Sequence, residues 1–194
     1  MIRFQQKSGK DIIDMNLSEQ SVKVENPLRR AFFQNAWVVE DVEVACRRWA
    51  KELGVGPFFM SEYRGVFDQV RYRGEPGELD MIVALAQNGP VQIELIQPLV
   101  ARCAYRDSVP EGTAFHHMCV WSEDVGADIA YFDALGYPAA NTASVRGIEF
   151  AYFDTRPLLG CMLEVVTLNS GTQARFAEIA AAGSAWDGEE IFRR

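Results

Sequence analysis

The residues of this sequence whose types and spacing could do chemistry are Gln34, Glu94, His117 and Glu164. Each glutamate sits in an apolar, strand-like run. In 91–97 the alternation sends Val91, Ile93 and Leu95 one way and Gln92, Glu94 and Ile96 the other. In 161–166 Glu164 shares a face with Met162 and Val166. A carboxylate beside such neighbours is costly unless water, a partner or a metal compensates. A glutamate on the wet face of a half-exposed antiparallel sheet is common, so neither residue alone would mark a site.

Repetition sets the four apart. Gln34 opens the segment QNAWVVEDV and His117 opens HMCVWSEDV, with the Glu-Asp-Val triplet at the same offset in both. The helices that follow end in Glu-Leu-Gly (52–54) and Ala-Leu-Gly (134–136). The last strands carry Gln-Ile-Glu-Leu (92–95) and Met-Leu-Glu-Val (162–165). Glu94 follows Gln34 by 60 residues and Glu164 follows His117 by 47, so the second half lacks part of a middle hairpin. Duplicated βαβββ units paired about a pseudo-two-fold axis bring equivalent residues together, here an amide, an imidazole and two carboxylates. His116 and His117 are adjacent, and a regular strand sends neighbours to opposite faces. The repeat selects His117, which leaves His116 as a structural or hydrogen-bonding neighbour.

The elements that must position these residues follow from periodicity. A strand is expected over 32–39 and a helix over Val42–Leu53, capped by Asp41, with Val42, Ala45, Cys46, Trp49 and Leu53 on one face. Strands are expected over 58–63, 70–73, 79–86 and 91–97, with a turn at 87–90 between the last two. A connector over 98–112 leads to a strand over 115–121, a helix over 124–135 and strands over 137–140, 149–154 and 161–167. A helix over 172–182 precedes a polar tail. The organisation is an N-terminal arm (1–31), a domain (32–168) made of modules 32–98 and 115–168, and a C-terminal helix and tail (169–194).

The chain has 194 residues, 48% hydrophobic and 24% charged, a globular mix with room for a core. Its net charge of −8 lacks the positive field that general nucleic-acid binding needs. The longest apolar stretch, 81–86, is far short of a membrane span, and the first residues hold no apolar core of a signal peptide. Cys46, Cys103, Cys119 and Cys161 form no C-x-x-C pair, as expected of reduced thiols in a cytoplasmic protein.

The motifs at 37–42 (WVVEDV), 53–58 (LGVGPF), 93–95 (IEL), 116–118 (HHM), 134–137 (ALGY) and 163–165 (LEV) resemble the vicinal-oxygen-chelate superfamily, the glyoxalase/bleomycin-resistance/dioxygenase group. The stretch 115–120 (FHHMCV) is similar to methylmalonyl-CoA epimerase. The resemblance implies an α+β fold in which two tandem βαβββ modules form a cup-shaped mixed sheet with helices outside. It implies one divalent metal ion in the cup, on the first and last strands of each module: Gln34, Glu94, His117 and Glu164. This set is similar to that of zinc-type glyoxalase I. Epimerases of the family usually carry His where Gln34 stands. Three oxygen ligands and one imidazole suit zinc, nickel, cobalt or manganese.

The resemblance further implies proton transfer next to a carbonyl, as in an isomerase, epimerase or lyase, through a metal-stabilised enolate. The candidate bases are Glu164 and Glu94, with Glu78 as a third and Asp80 competing with it. The substrate stays open among a coenzyme A thioester, a glutathione hemithioacetal and a keto acid. A homodimer is expected by analogy. Two rival readings are a non-catalytic drug- or small-molecule-binding protein of the same fold and a ring-cleaving dioxygenase. Gln34, standing where the dioxygenases bind iron through His, disfavours the second.

Overall fold

A computed structural model describes residues 31–193. The arm expected over 1–31 therefore lies, except for Ala31, outside the described residues. The first half comprises β1 (Gln34–Val38), α1 (Val42–Leu53), β2 (Phe58–Tyr63), β3 (Asp68–Tyr72), β4 (Glu75–Pro76), β5 (Met81–Asn88) and β6 (Val91–Pro98). A connector carries α2 (Ala104–Ser108). The second half comprises β7 (Ala114–Ser122), α3 (Val125–Ala134), β8 (Ala139–Val145), β9 (Ile148–Phe153), α4 (Arg156–Leu159) and β10 (Met162–Thr167). It is followed by α5 (Ser170–Ser184) and β11 (Phe192–Arg193).

All these strands join one mixed sheet in the order β11-β2-β5-β6-β1-β7-β10-β9-β8-β3-β4. Its centre is the antiparallel pair β1–β7, and each of these strands is flanked by the parallel last strand of its own half. The registers obey a two-fold exchange. Gln34 faces Gln92 and Ala36 faces Glu94 in one half, while His117 faces Met162 and Cys119 faces Glu164 in the other. Across the centre, Gln34 faces Cys119 and Ala36 faces His117. Exchanging the halves maps each pair onto its counterpart, so the duplication read in the letters is a symmetry of the sheet.

One face of each half is covered by its helix. Asp41 accepts a hydrogen bond from the Val44 N–H at the start of α1, and Gly54 closes it in the left-handed region at φ 65°. Val42 and Cys46 of α1 pack on Val39, Phe58, Ile93 and Leu95. In the second half Asp124 caps α3, and Phe132 stacks on Phe153 at 4.2 Å. The opposite face curls into a cup whose floor includes Ala36, Val38, Ile96, Tyr152 and Met162.

Some features depart from the sequence reading. The hairpin β3–β4 is the segment that the second half lacks, and it leaves its own half to pair with β8. The connector is no plain loop: α2 enters the floor of the cup with Ala104 and Tyr105 buried. The tail returns to the sheet as β11 beside β2. A five-residue helix and a two-residue strand are too short to show a period, so burial and pairing alone create them. Helix α5 lies against β5, with Thr172, Phe176, Ile179 and Gly183 along one side. Gly183 is required there: a Cβ would stand 2.9 Å from the Gln87 Cβ.

Candidate functional site

Alternation along β6 and β10 sends Glu94 and Glu164 into the cup from the two halves, and β7 brings His117 between them. The Nε2 of His117 lies 3.0 Å from Glu164 Oε2 and 3.3 Å from Glu94 Oε2. Single ligand atoms of the three residues all fall within 4.8 Å of one another, the spacing of a candidate metal centre. Among the described residues, neither Glu94 Oε2 nor His117 Nε2 finds a hydrogen-bond partner of good direction, although both are buried. Buried polar atoms are nearly always satisfied. Two carboxylates and a buried imidazole facing one point fit a divalent cation.

The protonation pattern around His117 agrees. His116 Nε2 lies 3.1 Å from the Ala104 carbonyl oxygen, and its Nδ1 lies 2.8 Å from His117 Nδ1. A carbonyl only accepts, so His116 Nε2 carries a proton. Burial, and then the neighbouring His117, lower the His116 pKa to about 3, which keeps the ring neutral. Its Nδ1 is then an acceptor, and His117 Nδ1 donates to it. The lone pair of His117 is left on Nε2, toward the two glutamates. Without a cation a proton takes that place: burial alone would lower the His117 pKa, but Glu164 and Glu94 raise it to about 9. Burial, and Glu164 in addition, raise the Glu94 pKa.

The two histidines share a side of β7, against the expectation of opposite faces. The register slips where Ala36 pairs with His117 but Trp37 with Phe115, leaving His116 as the extra residue of a β-bulge. Both rings therefore meet Tyr152, at centroid distances of 5.7 Å and 5.0 Å. A bulge depends on pairing with another strand and has no local signature here.

Gln34 lines the same cavity as Glu94 and Glu164, and its Nε2 donates to Gln92 Oε1 at 2.8 Å. With the donor end held by Gln92, the carbonyl end is the one available to a cation. Glu78 is not brought to the site. It is exposed before β5, which starts at Met81, and it does not line the cavity. Asp80, its competitor, accepts from the Gly65 N–H at 2.9 Å. Gln92 was missed as a site neighbour. Gln92 was legible as the residue two before Glu94 on the same face. Tyr105, whose hydroxyl lies 2.9 Å from that of Tyr152, comes from α2 and gave no signal.

The cavity has a volume of about 240 Å³. Its walls are largely apolar, with Met81, Val83, Phe150 and Val166 opposite Phe176 and Ile179 of α5. At one edge Phe33 stacks on Trp121 at 3.8 Å, and Phe176 meets both edge-on. Arg175 is the one cationic side chain among the described lining residues.

The family model described as the glyoxalase/bleomycin resistance protein/dioxygenase superfamily matches residues 33–152. It ends before β10, so the sequence repeat and the geometry, not this match, single out Glu164. Among solved structures, a hypothetical protein from Bacillus halodurans is similar with a TM-score of 0.55 at 15% identity, covering 73% of this chain and 96% of its own. A methylmalonyl-CoA epimerase in complex with methylmalonyl-CoA has a TM-score of 0.52 at 13% identity over 73% and 96%. The epimerase from Mycobacterium tuberculosis has a TM-score of 0.51 at 15% identity over 73% and 90%. At these identities the likeness establishes the fold. No curated protein matches the chain by sequence. No helix among the described residues is long and apolar enough to cross a membrane.

Proposed function

Since the chain belongs to the glyoxalase/bleomycin resistance/dioxygenase superfamily, we propose that it is a metal-dependent enzyme that transfers a proton next to a carbonyl, as an isomerase, epimerase or lyase. The observation that carries this reading is the convergence of Glu94, His117 and Glu164 with two unsatisfied buried ligand atoms. Gln34, on the wall of the same cavity, completes the proposed ligand set. A bound divalent ion, with zinc first and nickel, cobalt or manganese as alternatives, would polarise a substrate carbonyl and stabilise the enolate formed when the adjacent carbon loses its proton.

The chain's own residues do the rest. Glu94 and Glu164 approach the cavity from symmetry-related strands. One carboxylate removes the α-proton, and it or its counterpart returns a proton to the opposite face or to a neighbouring carbon. The first outcome is an epimer and the second an isomer. The apolar wall and α5 would limit the access of water to the carbanionic intermediate, which would otherwise be quenched at random. A cavity of this size accepts the reacting end of a thioester, a hemithioacetal or a keto acid. Complexes of the epimerase neighbours with coenzyme A compounds put thioesters on the test panel.

The test is deuterium uptake at the α-carbon in heavy water across acyl-CoA thioesters, glutathione hemithioacetals and 2-keto acids. Exchange on at least one compound is expected. It should depend on added metal and collapse in Glu164→Gln. Oxygen consumption with catechols and no exchange on any carbonyl compound would overturn this reading in favour of ring cleavage. Tight binding of an aromatic drug without turnover or metal would favour a sequestering protein.

A further inference from the structure

We propose that His116 is a positioning residue for the cation site: it accepts the Nδ1 proton of His117 and so holds that ring in the tautomer whose Nε2 lone pair faces Glu94 and Glu164. This inference rests on the metal-site reading above and adds to it a residue outside the ligand set. Three observations carry it. The bulge in β7 puts both imidazoles on the cup side of the strand. Their Nδ1 atoms stand 2.8 Å apart, a separation that holds one shared proton and not two. The far nitrogen of His116 meets the Ala104 carbonyl, which fixes where the His116 proton lies. A neutral His116 then has one role left at Nδ1, that of acceptor. A cationic His116, fully buried, would face an imidazole and a carbonyl with no carboxylate in hydrogen-bond reach, which is far costlier.

The arrangement is anchored from outside the site. Ala104 opens α2, and its own N–H donates to Asn141 Oδ1, while Asn141 Nδ2 donates to the Arg71 carbonyl. A line of hydrogen bonds thus runs from β3 through β8 and α2 to His116 and then to His117. The partner of the nitrogen that does not face a metal commonly sets a ligand's tautomer and ring angle, and losing it costs roughly 10–100-fold in metal affinity. Here an uncharged imidazole takes the place more often filled by a carboxylate or carbonyl. That choice adds no further negative charge to a site already holding two glutamates.

The test compares zinc affinity, by competition with a chelator, in the full-length wild type, His116→Asn and His116→Phe. Asn places its Oδ1 where the imidazole Nδ1 stands, whereas Phe keeps the ring and removes the acceptor. The expected result is roughly 10–100-fold weaker zinc binding in His116→Phe, with most of the loss recovered in His116→Asn. A second measurement needs no variant: long-range proton–nitrogen correlation on zinc-loaded wild type should find His117 protonated at Nδ1 and zinc-bound at Nε2, and His116 protonated at Nε2. Equal zinc affinity in all three proteins, or His117 bound through Nδ1, would overturn the role of His116 while leaving the metal site standing. Wild type that binds no zinc would overturn both.

Discussion

His117 sits between two competing demands. Buried at the floor of the cup, its ring would prefer to stay neutral, yet Glu164 and Glu94 raise its pKa to about 9 in the metal-free protein. A folded-state value above the unfolded one, about 6.5, stabilises the fold fully below that lower value and loses the contribution as pH rises through the upper one. Metal-free protein should therefore lose thermal stability between pH 6.5 and about 9. Zinc must displace the same proton, so its affinity should climb by about tenfold per pH unit over that window. Chelator competition at three pH values checks this, and a flat profile would mean that His117 gives up no proton. At Gln34, replacement by Leu should weaken zinc binding and leave Gln92 Oε1 without its donor, whereas Gln34→His should keep binding. Parent-like affinity in Gln34→Leu would make Gln34 only a strand residue. The three charged residues of the site were legible because duplication marks them twice. His116 was not, because its orientation depends on a bulge set by β1. Glu78 lies exposed before β5, which starts at Met81, so it does not share the strand alternation that sends Glu94 and Glu164 into the cup.

At the scale of elements, α5 turns an open cup into a walled cavity. Asn169 caps it by accepting from the Thr172 N–H, and the Thr172 hydroxyl accepts in turn from the Asn169 N–H. Ile179 is fully buried beneath it. Ile179→Ala should cost about 2–4 kcal/mol, and Asn169→Ala about 1 kcal/mol. Both losses should fall first on α5. Hydrogen exchange should quicken in residues 172–184 before it quickens in β6 or β10, and ligand affinity should drop while zinc affinity holds. Uniform loss across the sheet would show that α5 unfolds only with the whole. Helix α1 and strand β2 were readable to the residue, and in α1 a cap, an apolar face and a glycine stop coincide. The connector helix α2 was not, since its burial depends on Asn141 and His116, far away in sequence.

At the scale of the molecule, the β1–β7 seam makes two halves into one site. Neither half alone supplies both glutamates, and the cup exists because each contributes its last strand beside its first. The inserted hairpin β3–β4 crosses to β8 and adds a second link between the halves. The fold was visible from the repeat, while this crossing was not, because nothing in the hairpin's letters names its partner strand. The most direct measurement is zinc stoichiometry in the dialysed full-length protein at pH 8, with Glu94→Gln, His117→Ala and Glu164→Gln beside the wild type and circular dichroism to confirm folding. One zinc per chain in the wild type, lost from His117→Ala and weakened strongly in both glutamate variants, is the expected result. Wild type without zinc, or folded variants that keep a full equivalent, would contradict a metal centre at these residues.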